Sequence, residues 1–177
     1  MKNETVELAL KGPHIGSKII LEQIEDLLFQ FSKEEYKYSI DILSGASIGQ
    51  HIRHIIDFYS CIIEGTQEGL ISYDNRKRKI EIEQDPQFAI SCIRIILLEL
   101  ELHDVNHNIG IETRFSSDEN ELPSYLNSTF GRELMYAVDH AIHHLALVKI
   151  GIANTFQYIK MHPEMGVAPS TLRFRRI

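Results

Sequence analysis

Apolar residues recur at helical spacing in four long stretches of the chain. The first stretch covers about 17–36 and places its apolar side chains at steps of three, four and seven residues, which is the pattern of an amphipathic helix. The second covers roughly 47–68. Ser47 stands there in the N-cap position, and Gly65 and Gly69 end the apolar run, so this stretch predicts a second helix with a defined beginning and end.

The second half of the chain predicts two further helices. The third covers about 86–107 and begins with a proline, which is a favourable first helical residue. The fourth covers about 130–150 and is opened by Ser128 or Thr129, with Glu133 placed where a capping-box acid could reach back. Four helices of similar length favour a bundle over a solenoid.

The segments between these helices are long for a bundle. The connections 72–85 and 108–128 are both longer than a tight turn. Only 80–83 and 109–115 resemble short strands, and they could form a ribbon. After the fourth helix the sequence predicts one short extra helix and an extended C-terminal tail. The predicted fold is therefore all-α, a single four-helix-bundle domain over 1–177.

Composition narrows the class of partner. A formal charge of −7 argues against a nucleic-acid footprint, which leaves a small molecule or a second copy, in a homodimer, as the expected partner. The first twelve residues, MKNETVELALKG, lack the apolar core of a signal peptide, and no apolar run is long enough to span a membrane. A cytoplasmic location is expected. Cys61 and Cys92 are then expected to be buried free thiols in a reducing compartment.

Histidine is the residue type that points to chemistry. The chain has nine histidines, and seven of them fall in three short clusters. The clusters are His51 with His54, His103 with His107, and His140 with His143 and His144. Burying several imidazoles without a shared purpose is unfavourable, so this clustering favours a common ligand.

The fourth helix offers a pair of metal ligands. His140 and His144 are four residues apart, so both imidazoles lie on one face of the helix and can reach one ion. A third ligand has to come from a facing helix, where either His51 or His54 is available, and periodicity alone favours His51. Three protein nitrogens leave a coordination position open, as in catalytic ions. His143 lies on the other side of His140 and could flank the site.

Two other interpretations of the histidines stay open. His103 and His107 have the same spacing, but they stand at the end of the third helix, where exposed cationic side chains suit the helix dipole. The histidines of all three clusters could also be incidental surface or packing residues.

The histidine motifs resemble those of a known family. The segments SIGQHIRHIIDFY and GRELMYAVDHAIHHLALV resemble the DinB/YfiT-like superfamily of metal-binding four-helix bundles. The resemblance covers nearly the whole chain, including the YDNRKR connector and the APSTLRFR tail, and indicates an uncharacterised branch. It implies that His54, His140 and His144 are the metal ligands, with His54 in place of His51.

The resemblance also implies a range of chemistry. Characterised relatives include thiol S-transferases that use bacillithiol or mycothiol, a maleylpyruvate isomerase, and the N-terminal domains of sulfoxide synthases. The expected ion is zinc or nickel, with iron or manganese as alternatives, and a low-molecular-weight thiol is the expected co-substrate. Residues expected to orient the ligands or bind substrate are His51, His143, Asp57, Tyr136, Arg53 and Arg132.

Two functions of other classes fit the same sequence. One is a non-catalytic metal-binding or stress-related protein, in which the ion only joins the second and fourth helices. The other is a dimeric interaction module that binds no metal. A fourth protein ligand would favour the first of these, and protein purified without stoichiometric metal would favour the second.

Overall fold

The computed structural model describes residues 12–175 and is mostly helical, with a small three-stranded sheet. A short 3-10 helix, Asp41–Leu43, precedes the longest central helix. The strands are β1 (Leu70–Ser72), β2 (Asn108–Thr113) and β3 (Ser124–Thr129). The helices are α1 (Gly12–Leu28), α2 (Lys33–Tyr36), α3 (Ile48–Glu68), α4 (Ile80–Gln84), α5 (Pro86–Leu100), α6 (Phe130–Thr155) and α7 (Pro169–Arg175).

The four long helices pack around one apolar core. Helix α3 packs against α5 and α6, and α1 packs against the same two helices from the other side. Each helix directs its apolar stripe inwards, so that one cluster of buried side chains joins all four. Helices α3 and α6, which carry two of the histidine clusters, are therefore direct neighbours.

The sheet corrects the all-α prediction. β2 lies at its centre, parallel to β1 and antiparallel to β3. The strand expected in 109–115 is confirmed by β2, where Ile109 and Ile111 alternate into the core. The strand expected in 80–83 is wrong, because these residues form α4. An alternation of only four residues cannot distinguish a strand from one turn of helix.

The first predicted helix is divided in two. Helix α1 ends at Leu28, and α2 begins only after Ser32. The Ser32 hydroxyl accepts from the Glu35 amide, and the Glu35 carboxylate accepts from the Ser32 amide at 2.9 Å. This capping box starts a new helix within a stretch whose apolar spacing predicts one continuous helix.

Helix α3 agrees with its prediction. Ser47 is the N-cap and shares a capping box with Gln50, and Gly69 adopts the left-handed conformation after the last turn, with φ +79°. The helix ends at Glu68, as predicted, and Gly65 lies inside it. Its missing side chain lets β1 approach, because a Cβ there would lie 2.5 Å from Cγ1 of Ile71.

The other two long helices differ from their predicted ends. Helix α5 ends at Leu100, before the predicted 107, and α6 continues to Thr155, past the predicted 150. Thr129 is the N-cap of α6. Glu133 does not complete a capping box. It is buried and accepts hydrogen bonds from the side chains of Tyr73 and Ser128.

Four further expectations concern the C-terminal tail, the cysteines, a membrane span and a signal peptide. The C-terminal tail ends in α7 and is not extended. Cys61 and Cys92 are free thiols, but both are half-buried, not buried. Within residues 12–175, no helix has the length and apolar character needed to cross a membrane. The segment considered for a signal peptide lies almost entirely outside the described residues.

Candidate metal centre

Three histidines from α3 and α6 meet at one point. Each of His54, His140 and His144 offers one nitrogen, and these atoms all lie within 4.8 Å of one another. Nε2 of His54 and Nε2 of His140 are 2.8 Å apart. The ring centroids of His140 and His144 are 4.6 Å apart, as are those of His54 and His144. These are the residues that the family resemblance singles out.

The packing of α6 against α3 sets the orientation of these rings. His140 and His144 lie next to Ala141 and Leu145, which are buried in the core. His54 is followed by the buried Ile55, so all three imidazoles are held at the border of the core. Backbone order in the helices therefore places the ligand atoms before any ion binds.

The spacing of the nitrogens suits one ion. Zinc binds imidazole nitrogen at about 2.0–2.1 Å, so the nitrogens of a tetrahedral site lie about 3.4 Å apart. The shortest separation in the cluster is 2.8 Å and the longest is no more than 4.8 Å. Small side-chain rotations would bring all three to coordination distance.

His51 is the fourth histidine at the cluster. Its Nδ1 lies 3.0 Å from Nδ1 of His144, while its Nε2 is buried without a hydrogen-bond partner. His51 could therefore orient His144 from outside the site or become a fourth ligand itself. His143 is exposed and touches His144 only edge-on, with the ring centroids 5.9 Å apart.

The cluster keeps its imidazoles uncharged. Burial, together with the neighbouring histidines, lowers the pKa of His54 to about 4 and that of His144 to about 3. Burial also lowers the pKa of His140 and of His51. A metal ligand has to be a neutral imidazole, and the cluster holds that form at neutral pH.

Arg76 lies on the connector between β1 and α4 and contacts His54 on the side of its Nδ1. Its Nη2 lies 3.4 Å from Nδ1 of His54, and its Nη1 donates to the carbonyl oxygen of Tyr73 at 2.7 Å. A guanidinium only donates, so Nδ1 of His54 has to accept this contact. A neutral imidazole that binds metal through Nε2 carries its proton on Nδ1. The Arg76 contact and metal binding at His54 Nε2 therefore compete.

Three aromatic rings line one side of the histidine cluster. The Phe58 ring stacks on His140 at 4.2 Å and on Tyr73 at 4.9 Å. Tyr136 completes the wall beside His140, with ring centroids 5.9 Å apart, and is 38% exposed. The Tyr73 hydroxyl donates to the buried Glu133 carboxylate at 2.6 Å, which fixes the ring. Phe58 and Tyr73 were not predicted, although Phe58 lies one helical turn after His54.

Asp57 and Arg53, two of the charged residues expected to support the site, pair with other side chains. The Asp57 carboxylate lies 3.6 Å from Arg53, and burial raises the pKa of Asp57 to about 6. Arg53 also pairs with Glu83 at 2.6 Å. Position 57 lies about 60° around the helix from position 54, and the ion pair of Asp57 is with Arg53. Asp57 and Arg53 are thus structural partners of α4 and of each other.

Arg132 lies at the edge of the aromatic wall. Its guanidinium is 5.3 Å from the centre of the Tyr136 ring, and it pairs with Glu133 at 3.1 Å. The Arg132 side chain is 57% exposed, so it remains accessible to a solute. Among the predicted substrate-binding residues, Arg132 and Tyr136 are the two at the open side of the site.

His103 and His107, the alternative ligand pair at the end of the third predicted helix, are not part of the cluster of His54, His140 and His144. His103 follows the end of α5 and is half-buried, with its ring 5.1 Å from Phe130, and its carbonyl oxygen lies 3.1 Å from Nε2 of His14. His107 is exposed, as predicted, whereas His103 is not. Within residues 12–175, these two belong to no group of side chains with metal-ligand spacing.

A cavity of about 290 Å³ opens on the far side of Arg76. It lies between α3, β1 and the connector, and Cys61 forms part of its wall. Burial raises the pKa of the Cys61 thiol to about 11, and the thiol donates to the carbonyl oxygen of Ser72. Cys61 is therefore a protonated wall residue, and Arg76 separates it from the imidazoles.

The chain has a partial likeness to a known protein. No family model matches the chain, and no solved structure matches it. The chain is 34% identical to the FK506-binding protein 5 of Rhizopus delemar over 109 residues, which cover 59% of this chain and 27% of that protein. The likeness spans about a quarter of that relative, so the binding property in its name belongs to the longer protein.

Proposed function

We propose that this chain is a divalent-metal-binding protein of the DinB/YfiT-like superfamily, with the ion held by His54, His140 and His144. The observation that carries the proposal is the convergence of three uncharged imidazoles from two neighbouring helices. In this proposal α1, α3, α5 and α6 correspond to the four helices of the family bundle. The sheet and α7 are additions to that bundle.

We further propose that the ion serves a transferase reaction on a small molecule in the cytoplasm. An ion with three protein ligands supplies a Lewis acid that lowers the pKa of a bound thiol or water. Imidazole nitrogens suit zinc and nickel, and the thiol co-substrate rests on the family resemblance. Phe58 and Tyr73 would shield the reacting groups from water, while Arg132 offers two parallel donors to an anionic substrate group.

Metal content tests the first proposal. Protein produced without a histidine tag and purified without a nickel column should contain about one divalent ion per chain by elemental analysis. His144→Ala should lose most of this metal, whereas the matched variant His107→Ala should retain it. Metal-free wild-type protein that also fails to take up zinc or nickel in a titration would contradict the proposal and favour the metal-free interaction module.

Thiol dependence tests the second proposal. Metal-loaded protein should accelerate conjugation of bacillithiol or mycothiol to monochlorobimane, and the His144→Ala protein should not. The matched His107→Ala protein should keep the wild-type rate. Loaded protein that binds metal stoichiometrically but accelerates neither reaction would remove the transferase proposal and leave metal binding intact.

A second candidate function follows from the position of His51. Its Nδ1 lies 3.0 Å from His144 Nδ1, so a modest rotation could make it a fourth ligand. The ion would then be structural and would join α3 to α6 without an open position. Cobalt-substituted protein distinguishes the two cases: if added thiol or azide changes the visible spectrum of wild-type protein, a position is open. If the spectrum changes only in His51→Ala, His51 closes the site.

A further inference from the structure

Helix α5 is apolar on two opposite faces. The inner face packs on α1 and α3 and includes Ala89, Ile93, Ile96 and Leu100, all of which are buried. The outer face carries large apolar side chains that remain in contact with water. Their exposed fractions are 41% for Phe88, 60% for Ile95, 69% for Leu98 and 70% for Leu102. A helix that is apolar on all sides is normally covered on all sides.

The exposed residues follow the spacing of a coiled-coil seam. Phe88, Ser91, Ile95, Leu98 and Leu102 succeed one another at alternate steps of three and four residues. The first four of these positions lie within about 80° around the helix axis, opposite the inner face, and Leu102 lies in the turn two residues after the end of α5. We refer to these five residues as the outer stripe of α5. Such a stripe fits the matching stripe of another helix, with knobs packed into holes.

Charged residues border the outer stripe on both sides. Arg94 and Glu101 lie along one flank, and Glu99 lies along the other. Arg94 donates to the Glu25 carboxylate at 2.6 and 2.9 Å, which holds its guanidinium beside the stripe. A contiguous apolar patch with a polar rim is typical of a protein interaction site.

The charges make the outer stripe complementary to itself. If two α5 helices pack antiparallel, residues on the same flank meet, and Arg94 of one copy faces Glu101 of the other. If they pack parallel, opposite flanks meet, and Arg94 faces Glu99. In both directions a two-fold axis repeats the attractive pair. From this self-complementarity we infer that α5 pairs through its outer stripe with α5 of a second copy of the chain.

The surface available for this dimer extends past the helix itself. A groove of about 300 Å³ between α1 and α5 lies on the flank of Arg94, lined by His14, Lys18 and Leu97 among others. Helix α5 is about 22 Å long, so the outer stripe and this groove together form a small interface, which is typical of weak association. The dimer should dissociate in the micromolar range and dominate at higher concentrations.

The mass of the protein in solution tests the inference. Sedimentation equilibrium at about 100 µM should give twice the 20.4 kDa of one chain. Leu98→Glu, which would bury an unpaired charge at the seam, should weaken dimerisation at least about 100-fold and give a monomer. The matched control is Leu122→Glu, in the connection between β2 and β3, where Leu122 is 84% exposed. This variant should remain a dimer.

Charge reversal checks the same interface with milder changes. Arg94→Glu should weaken the dimer, and a second reversal, Glu101→Arg or Glu99→Arg, should restore it and identify the direction of pairing. Circular dichroism verifies that each variant is folded. The inference is overturned if the wild-type protein is a 20.4 kDa monomer at 100 µM, or if folded Leu98→Glu forms the same dimer. Neither outcome involves the histidine cluster, so the metal proposal is tested separately.

Discussion

At the proposed metal site, Arg76 and the metal ion would compete for His54. Arg76 contacts Nδ1, while the proposed metal would take Nε2, and the two requirements place the imidazole proton on opposite nitrogens. Neighbouring positive charge also disfavours binding of a divalent ion. Arg76 therefore weakens the metal site unless its side chain turns towards the adjacent cavity, which it also lines.

Replacing Arg76 should tighten metal binding. Arg76→Met keeps a long side chain against Phe58 but removes the charge and the contact with Nδ1, and should lower the dissociation constant for zinc about 3- to 10-fold. A competition titration with a chromogenic chelator measures this. Arg78→Met, an exposed change on the same connector, should leave the constant unchanged. Weaker binding by Arg76→Met would show that Arg76 supports the site.

Acid should destabilise the metal-free protein through the same histidines. The pKa values of His51, His54, His140 and His144 are lowered in the folded state. Between the ordinary value of 6.5 and about 4, the unfolded chain consequently binds more protons. The free energy of unfolding falls as pH falls through this window. Asp57 acts in the opposite direction, because its raised pKa lets the folded state bind a proton below about pH 6.

Urea unfolding at pH 7 and pH 5 measures this effect. The histidines are half-exposed, so we expect a loss of about 1 kcal/mol for each strongly shifted imidazole after solvent screening is considered. His144→Gln should lose correspondingly less stability than the wild type over the same interval. Equal losses in both proteins would indicate that His144 ionises normally in the folded state.

At the scale of the elements, local signals predicted the helices better than their ends. The capping box of Ser47 and Gln50 marks α3 clearly, whereas the equivalent signal of Ser32 and Glu35 is hidden inside an apolar run. The sheet could not be predicted as a whole. β1 has three residues and pairs with β2 far away in the sequence, whereas β3, which follows β2 after residues 114–123, is polar and largely exposed. Non-local pairing leaves little periodic signal in strands this short.

Two glycines should respond in opposite directions to the same substitution. A Cβ on Gly65 would lie 2.5 Å from Ile71 and 2.8 Å from the Leu70 oxygen, so Gly65→Ala should lower the free energy of unfolding by about 1–3 kcal/mol. A Cβ on Gly16 would meet Val138 at an ordinary 3.5 Å. Gly16→Ala should therefore raise stability by about 0.5–1 kcal/mol through helix propensity. Urea denaturation measures the free energy of unfolding of both variants. If Gly65→Ala left this free energy unchanged, β1 would not be tightly packed on α3.

At the scale of the whole molecule, the candidate site is only partly visible in the sequence. The spacing of His140 and His144 follows from one helix, and the choice of His54 over His51 came from the family resemblance. Arg76 and Tyr73 could not be placed, because their positions depend on how the β1–α4 connector crosses the end of α3. Phe58 carried a local signal, since it follows His54 by four residues on the same helix.

Because the cluster joins α3 to α6 at the border of the core, a bound ion should stabilise the entire fold. At 100 times the dissociation constant, a ligand that binds only the folded state contributes about 2.7 kcal/mol. For a chain of this size, that corresponds to a rise in Tm of about 5–10 °C, measurable by calorimetry with and without zinc. His140→Ala should abolish the rise, whereas His143→Ala, on the same helix, should preserve it. If His143→Ala abolished the rise and His140→Ala did not, the ion would bind on the exposed side of α6, and its effect on the core would require another explanation.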